Sequence, residues 1–226
     1  MTAGPACGPA VRPATAAGIL LVAALLGGVL GGCGGPAHRT PAMRTSAVAT
    51  PSSADALGRL VLTGLPSGLP RMPDDQLQPR AGEKTVDDVA AYAQDPVRER
   101  GVLRGYGFRW GWERFWGRGP TETSVFVEQF TRTAGAAAFA ADLAVNEERH
   151  YRAVLHENPP ELPAGCRLLS VDQPDPKLGL TGPTALAWCA HGAFSIAVTA
   201  VGTSVAAATG EVASVVRAQL ARLPAG

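Results

Sequence analysis

The chain has 226 residues, and its 20 Lys and Arg side chains nearly balance its 19 Asp and Glu side chains, giving a formal net charge of +1. Such a balance, without a run of basic residues, lacks the electrostatic footprint of a nucleic-acid-binding protein and the polybasic patch that anionic lipids attract. Apolar residues make up 46% of the sequence, so the chain can bury the core of one domain of ordinary size.

The N-terminal segment has the composition of an export signal. Residues 1–32 contain one charged side chain, Arg12, and residues 18–30 form an uncharged apolar run. A membrane-spanning helix needs about 20 apolar residues, whereas the core of a signal peptide needs roughly 7 to 15. The run therefore favours a signal peptide, whose removal would leave equal numbers of basic and acidic residues.

A cysteine follows the apolar run, in the sequence Leu30-Gly31-Gly32-Cys33. This tetrapeptide resembles the lipobox of bacterial lipoproteins. The resemblance implies cleavage before Cys33, acylation of this residue and a location on the outer face of the cytoplasmic membrane, which the protein would contact through the lipid. An ordinary cleaved signal and an uncleaved anchor, in which Cys33 has no special role, are the alternatives.

The segment after Cys33, residues 33–53, is rich in Gly, Pro, Ser, Thr and Ala and shows no apolar periodicity. This composition predicts a flexible tether. Residues 54–226 then form a single exported domain.

The exported domain contains two cysteines, Cys166 and Cys189. Two cysteines in an oxidising compartment predict one disulfide bond. The sequence contains neither a CxxC motif nor a metal-binding histidine pattern such as HxH or HExxH. A redox or metal site is therefore not favoured, and no cofactor is predicted.

Three short helices are predicted before the aromatic part of the chain. Residues 55–62 follow Ser52 and Ser53, either of which can cap a helix. Thr85 begins the sequence Thr-Val-Asp-Asp, which resembles a capping box. The next helix opens at Asp95, and the proline that follows occupies the favoured first helical position.

The most aromatic stretch is GYGFRWGWERFWGRG, residues 105–119. Its alternating rings are those of Tyr106, Phe108, Trp110 and Trp112. This period of two predicts a strand with one aromatic face, and residues 121–132 predict the second strand of a hairpin. Aromatic residues at alternating positions most often form a core, and the domain has few other large residues to fill one.

The same stretch holds the candidate ligand-binding residues, which are Trp110, Trp112, Phe115 and Trp116. Phe115 and Trp116 are adjacent and point to opposite faces of a continuous strand, so a one-sided sheet cannot bury both. One of the two is the better candidate for an exposed contact. The glycines opposite the rings would let a helix or a ligand approach the strand closely.

The second half of the chain predicts two further helices and three strands. Residues 133–150 form a helix with Thr133 as its cap, and CRLLSV forms a strand that begins at Cys166. Two apolar runs that are separated around His191 form a second hairpin. A helix with apolar residues at helical spacing begins at about Ser204.

The order of these elements predicts an α+β domain, with a mainly antiparallel sheet of about five strands and helices packed on one face. Residues 126–144 and 195–213 each run from a strand through a Thr or Ser cap into an alanine-rich helix, which indicates two hairpin-plus-helix units. These units and the pair Trp188-Cys189 resemble exported lipoprotein and kinase sensor modules of high-GC Gram-positive bacteria, including extracellular domains of mycobacterial serine/threonine kinases. The resemblance implies a sensing or binding role and names no ligand.

These features favour a lipid-anchored lipoprotein that binds or senses an envelope ligand. The alternative is a protein that docks on another envelope protein during assembly. An enzyme is not expected, because no GxSxG, SxxK, P-loop or Cys-His nucleophile signature is present. The adjacent acids Asp74-Asp75 and Asp87-Asp88 do not point in the same direction, so neither pair forms a carboxylate site.

Overall fold

The computed structural model describes residues 48–174 and 176–224, without the side chain of Pro176. The predicted signal peptide, Cys33 and most of the predicted tether lie outside these residues. The α-helices of the described part are α1 (Ala54–Leu60), α2 (Val86–Ala90), α3 (Pro96–Tyr106), α4 (Thr133–Tyr151) and α5 (Val205–Leu220). Single 3-10 turns occur at Asp74–Gln76 and Pro176–Leu178.

Side chains that accept hydrogen bonds from the backbone mark where most helices begin. The predicted caps are confirmed at Ser53, Thr85, Asp95 and Ser204. Thr85 also forms the complete capping box with Asp88. The helix α4 differs from the prediction, because Thr133 lies inside the helix and Arg132 occupies the N-cap without a side-chain hydrogen bond.

The strands are β1 (Gly82–Lys84), β2 (Phe108–Arg118), β3 (Thr121–Phe130), β4 (Leu155–Glu157), β5 (Cys166–Val171), β6 (Thr184–His191) and β7 (Phe194–Val201). They form one antiparallel sheet in the order β1-β2-β3-β7-β6-β5-β4. The described sheet therefore has seven strands rather than about five. The additional strands, β1 and β4, are three residues long and lie at the two edges, where so few residues carry no readable alternation.

Helices cover both faces of the sheet, so the expectation that they pack on one face is wrong. On β6, Ala187 and Cys189 belong to the apolar cluster that contains the buried side of α5. Leu186 and Trp188 belong instead to a cluster with Ala144 of α4. Because successive residues of a strand point to opposite faces, the sheet has an α4 face and an α5 face.

Two hairpin-plus-helix units are present, β2-β3-α4 and β6-β7-α5, and their strands β3 and β7 pair antiparallel at the centre of the sheet. If the two units were related by symmetry, the axis between the antiparallel strands β3 and β7 would be a two-fold axis normal to the sheet. Such an axis would place both helices on the same face. The helices lie on opposite faces instead. The order of elements is therefore repeated, but the packing is not.

The predicted disulfide is present between Cys166 and Cys189, which are 23 positions apart in the sequence. The two cysteines are paired directly across β5 and β6, and both are buried in the cluster on the α5 face. The bond lies at the opposite end of these strands from their connecting loop, residues 172–183.

Side chains that are distant in sequence hold the C-terminal end of α1 on the α5 face. Arg114 of β2 donates to the carbonyl oxygens of Val61 and Leu62 at 2.6 and 2.9 Å. Gln219 of α5 donates to Leu60 O and accepts from Leu62 N. The last carbonyls of a helix lack partners within the helix, so these contacts fasten α1 to the sheet and to α5.

Candidate functional site

The aromatic stretch begins in a helix, which corrects the predicted start of the strand. Tyr106 is the last residue of α3, and Gly107 ends that helix in the left-handed conformation, with φ 84°. A side chain at Gly107 would collide with Thr131 Oγ1. Glycine is therefore required at this turn both for its backbone conformation and for the close contact.

A β-bulge separates the rings that the alternation had placed on one face. Phe108 is opposite Phe130, but Trp110 is opposite Gln129, so the register shifts between the two aromatic residues. A bulge inserts one residue and turns the following side chains over. Phe108 consequently packs in the cluster that contains Phe130, whereas Trp110 packs against the cluster on the α5 face.

The three candidate tryptophans lie on the α5 face. Trp116 is fully buried, and Trp110 and Trp112 are half-buried against the same cluster. Trp112 lies against Gly58 of α1, and Trp110 Nε1 donates to Gln129 Oε1 at 2.9 Å. Three of the four candidate ligand-binding residues thus contribute to packing around α1 and the core.

Phe115 lies on the opposite, α4 face and is half-buried. Its ring centroid is 5.8 Å from that of Phe126 on β3, and the ring of Phe126 is 6.4 Å from that of Tyr92, which follows α2. Phe115 and Phe126 belong to none of the three apolar clusters of the described residues, and Tyr92 is 50% exposed. We call Tyr92, Phe115 and Phe126 the aromatic patch.

The aromatic patch is open because α4 covers only part of this face. The row of side chains across β6, β7 and β3 is Trp188, Ala197 and Phe126. Trp188 and Ala197 belong to or pack against the apolar cluster that contains residues of α4. Phe126, the next residue in this row, lies outside that cluster. Two hydroxyl-bearing residues, Ser124 and Thr199, follow Phe115 in the neighbouring row of the same face.

A buried ion pair holds the ring of Tyr92. The Tyr92 hydroxyl lies 3.1 and 3.0 Å from the two carboxylate oxygens of Glu113 and donates to them. Glu113 Oε1 is 2.7 Å from Lys84 Nζ, and the two side chains are only 1% and 5% exposed. Lys84 Nζ also donates to the carbonyl oxygen of Arg80. Lys84 and Glu113 therefore position an aromatic ring that reaches the surface.

Burial dominates the electrostatics of this network. It raises the pKa of Glu113, although Lys84 and the Tyr92 hydroxyl act in the opposite direction. Burial and the neighbouring charge of Glu113 raise the pKa of Tyr92 well above its ordinary value. The Tyr92 hydroxyl therefore keeps its proton and remains a hydrogen-bond donor throughout the physiological pH range.

A second acid, Glu128, lies beside this network and is 4% exposed. Gly111 of β2 makes room for it, because a Cβ at Gly111 would lie 3.4 Å from Glu128 Cγ and 3.3 Å from Lys84 Cβ. Glu128 Oε2 is buried without a hydrogen-bond partner among the described residues. Burial, followed by the charge of Glu113, raises the pKa of Glu128 to about 8, and the hydroxyl of Ser195 opposes the shift. Glu128 thus retains its proton near neutral pH.

Pro51, near the start of the described residues, packs close to the α5 face rather than the aromatic patch. Pro51, within the segment that the composition assigns to the tether, is buried, and its carbonyl oxygen accepts from Gln129 Nε2 at 3.1 Å. Gln129 also contacts Trp110 of the α5 face. Within the described residues, Pro51 therefore lies near the α5 face.

The sequence made Phe115 a candidate, but it did not point to the residues that surround Phe115 in the structure. Tyr92 lies in a polar turn between two short helices, and Phe126 is one apolar residue within a strand. Glu113 and Lys84 each look like an exposed charge in an alternating strand. The signal that was present is the position of Glu113 between aromatic residues, two positions before Phe115 and hence on the same face.

None of the helices in the described part of the chain combines the length and hydropathy that a membrane crossing requires. Within residues 48–174 and 176–224, no three His, Cys, Asp or Glu side chains form a group that could hold a metal ion.

No protein-family model matches the chain, and no curated protein is similar to it. Among solved structures, it is similar to the extracellular domain of PknH from Mycobacterium tuberculosis, at 13% sequence identity and a TM-score of 0.44, covering 75% of this chain and 97% of that one. The match belongs to the class of protein that the sequence resembles. A TM-score this low does not establish a shared fold, so the match assigns neither architecture nor ligand to this chain.

Proposed function

We propose that the chain is an exported, lipid-anchored protein of the cell envelope that binds an envelope glycan on the aromatic patch. The proposed activity is binding without catalysis. Its membrane contact is the lipid on Cys33, and its ligand contacts are Phe115, Phe126 and Tyr92.

The disulfide supports export, and the lipobox supports the anchor. Bonds such as Cys166–Cys189 form and persist in oxidising compartments and are rare in the cytosol. Anchoring is tested by expressing the full-length chain and its Cys33→Ser variant in a bacterium and partitioning each between detergent and aqueous phases. The wild type should enter the detergent phase and carry a radiolabelled fatty acid. Equal labelling of the variant would contradict an anchor at Cys33.

The observation that carries the proposed binding role is the way in which Tyr92 is held. Its ring is half exposed, yet its hydroxyl is bound to a carboxylate that is almost completely buried together with its cation. A buried ion pair is costly to desolvate. Here the carboxylate of the ion pair accepts hydrogen bonds from the Tyr92 hydroxyl. The fixed hydroxyl makes the exposed ring rigid. Rigid contact groups lower the entropy lost on binding.

The composition of the site favours a sugar. Sugar rings present apolar C–H faces that can lie on aromatic rings, and their hydroxyls need hydrogen-bonding partners. The aromatic patch offers three rings, and the half-buried Thr199 places a hydroxyl on the same face of the sheet, beside the buried Ser124. The patch contains no exposed cation, so a neutral glycan fits it better than an anionic ligand.

The test is co-sedimentation of the full-length protein, solubilised in detergent, with purified peptidoglycan sacculi. An aromatic contact contributes about 0.5 to 1.5 kcal/mol beyond the burial of its area, so Phe115→Ala should weaken binding by roughly tenfold. Val154→Ala is the matched control, because Val154 is an apolar residue that is 68% exposed outside the patch. Wild-type protein that stays in the supernatant, or equal binding by both variants, would overturn the proposal.

A photo-crosslinking amino acid at position 115, introduced in cells, separates this proposal from a protein-docking role. Crosslinks to glycan would support the proposal. A single crosslinked envelope protein, together with no sedimentation on sacculi, would contradict it and favour docking.

A further inference from the structure

Three exposed arginines from separate segments meet at one end of the sheet. Arg104 lies in the last turn of α3, Arg109 lies near the start of β2, and Arg132 occupies the N-cap of α4. Arg132 Nη2 donates to the carbonyl oxygen of Gly105 at 3.3 Å, beside Arg104. We call Arg104, Arg109 and Arg132 the basic patch.

The β-bulge in β2 places Arg109 in this patch. Phe108 is opposite Phe130 and Trp110 is opposite Gln129, so Arg109 between them has no residue opposite it. Its guanidinium group lies over the ring of Trp110, 4.3 Å from the ring centroid. This end of β2 pairs with the end of β3 that leads into α4, so Arg109 projects beside the start of that helix.

The positive charge of the patch is not neutralised by an ion pair. None of the three arginines forms one within the described ranges 48–174 and 176–224. The C-terminal end of a helix favours a cation such as Arg104, but the N-terminal end opposes one. Arg132 stands at such an N-terminal end, and the first turn of α4 contains no acidic residue. The helix gains nothing from the charge of Arg132, and the patch is suited to an anionic partner.

Pro51, near the start of the described residues, lies beside the basic patch. Its carbonyl oxygen accepts from Gln129 Nε2, and Gln129 Oε1 accepts from Trp110 Nε1, beneath Arg109. Residues 34–50 join Pro51 to Cys33, and a coil of this length would span roughly 20 to 25 Å. Residues 1–54 contain no Asp or Glu, so this part of the chain brings no acid to the patch. An anchor at Cys33 would therefore hold the patch near the membrane.

From the three arginines and the short connection to Cys33 we infer that the basic patch docks on anionic lipid headgroups of the membrane that carries the anchor. This inference rests on the proposed anchor at Cys33. The planar fork of a guanidinium group matches two oxygens of a lipid phosphate. The short connection keeps the headgroups at a high effective concentration, so a few cations are enough. The sequence shows no basic run because the three arginines come together only in the fold.

Docking through the basic patch orients the aromatic patch. At about 3.3 Å per residue, Phe115 lies roughly 20 Å from Arg109 along β2. Phe115 also lies on the α4 face, whereas Trp110, beneath Arg109, packs on the α5 face. The docked protein therefore holds the proposed glycan site away from the membrane.

The test uses the lipidated protein in vesicles of phosphatidylcholine, with and without phosphatidylglycerol. A fluorescent donor on Ala134→Cys, an exposed position in the first turn of α4, reports energy transfer to an acceptor-labelled lipid. Transfer should be higher when phosphatidylglycerol is present. It should fall to the neutral-vesicle value in about 1 M salt, where the Debye length is about 3 Å. A donor on Glu122→Cys, at the other end of β3, should show the opposite change.

The variant Arg104→Gln/Arg109→Gln/Arg132→Gln should lose the response to phosphatidylglycerol, because each arginine near an anionic surface changes partitioning about fivefold. The triple lysine variant at the same positions should keep most of the response, since it keeps the charge. The matched control is Arg118→Gln/Arg149→Gln/Arg152→Gln, which removes the same charge from exposed positions outside the patch. This control should respond as the wild type does.

Equal transfer from Ala134→Cys in both kinds of vesicle would overturn the inference, and so would an equal loss of response in the two glutamine variants. Flotation with phosphatidylcholine vesicles alone reports the anchor. Protein that floats with these vesicles but does not respond to phosphatidylglycerol would refute docking and leave the anchor intact. Sedimentation on sacculi should be unchanged in the arginine variants, so the proposed glycan site is tested separately.

Discussion

Gly58 of α1 lies directly against the indole ring of Trp112 on β2, and a Cβ at Gly58 would stand 2.7 Å from Cε3 and Cζ3 of that ring. Alanine favours a helix over glycine by up to about 1 kcal/mol, but overpacking costs about 1 to 3 kcal/mol. Gly58→Ala should therefore lower the free energy of unfolding, which urea titration followed by circular dichroism measures.

Gly101 of α3 is the matched control, because no heavy atom lies within 4 Å of its Cβ position. Gly101→Ala should stabilise the protein by about 0.5 to 1 kcal/mol. A similar gain at Gly58 would show that α1 does not pack tightly on Trp112.

Lys84→Met should destabilise the protein by about 3 to 5 kcal/mol near neutral pH, because it leaves the buried Glu113 carboxylate without its cation. The loss should shrink in acid, where Glu113 takes up a proton. The double variant Lys84→Met/Glu113→Gln should recover most of the stability at neutral pH. Urea unfolding measures all three proteins, and a single variant as stable as the wild type would refute the energetic role of this pair.

Glu128 should make the protein less stable as pH rises. Burial raises its pKa from 4.5 to about 8, so between these values the folded protein binds more protons than the unfolded chain, and the free energy of unfolding falls with increasing pH. Glu128→Gln removes this contribution. The variant should match the wild type near pH 4.5 and exceed it by a few kcal/mol at pH 8.

The control for that experiment is Glu122→Gln, a substitution of an exposed acid on the same strand. It should leave the dependence of stability on pH unchanged. Superimposable pH profiles for wild type and Glu128→Gln would mean that Glu128 ionises in the folded protein as it does in water.

Tyr92→Phe should keep the ring but release it from Glu113. Binding to sacculi should weaken by a few-fold, because the ring becomes mobile and more entropy is lost on binding. Tyr92→Ala should weaken binding further. Co-sedimentation compares the three proteins, and wild-type affinity in Tyr92→Phe would show that the hydrogen bonds to Glu113 do not serve the site.

The disulfide should contribute about 3 kcal/mol, as expected for a loop closed by residues 23 positions apart. Cys166→Ala/Cys189→Ala should lower the free energy of unfolding by about this amount. Urea unfolding of the variant, beside wild type with and without reductant, measures the effect. Coincident curves for the variant and the oxidised wild type would contradict it.

The elements that sequence reasoning located best are those determined by neighbouring residues. Ser53, Asp95 and Ser204 cap helices through hydrogen bonds to amides three positions away, so the pattern is complete within a few residues. The prediction of the disulfide needed only the number of cysteines and the presence of an export signal. The two apolar runs on either side of His191 also identified β6 and β7, each of which is eight residues long.

The features that it missed depend on contacts between distant segments. Alternation shows that Leu186 and Cys189 face opposite ways, but it does not show which helix covers each side. The bulge after Phe108 depends on pairing with β3, and the position of Tyr92 depends on a carboxylate 21 residues away.

The bond between Cys166 and Cys189 gives the chain a closed covalent ring that includes the loop between β5 and β6. A protease that cuts an exposed peptide of this loop would therefore not release β6, β7 and α5. A nicked molecule should migrate as one band on a gel without reductant and as two bands with it. If the protein is anchored as proposed, a cut in this loop would leave the C-terminal fragment covalently joined to the anchored N-terminal fragment.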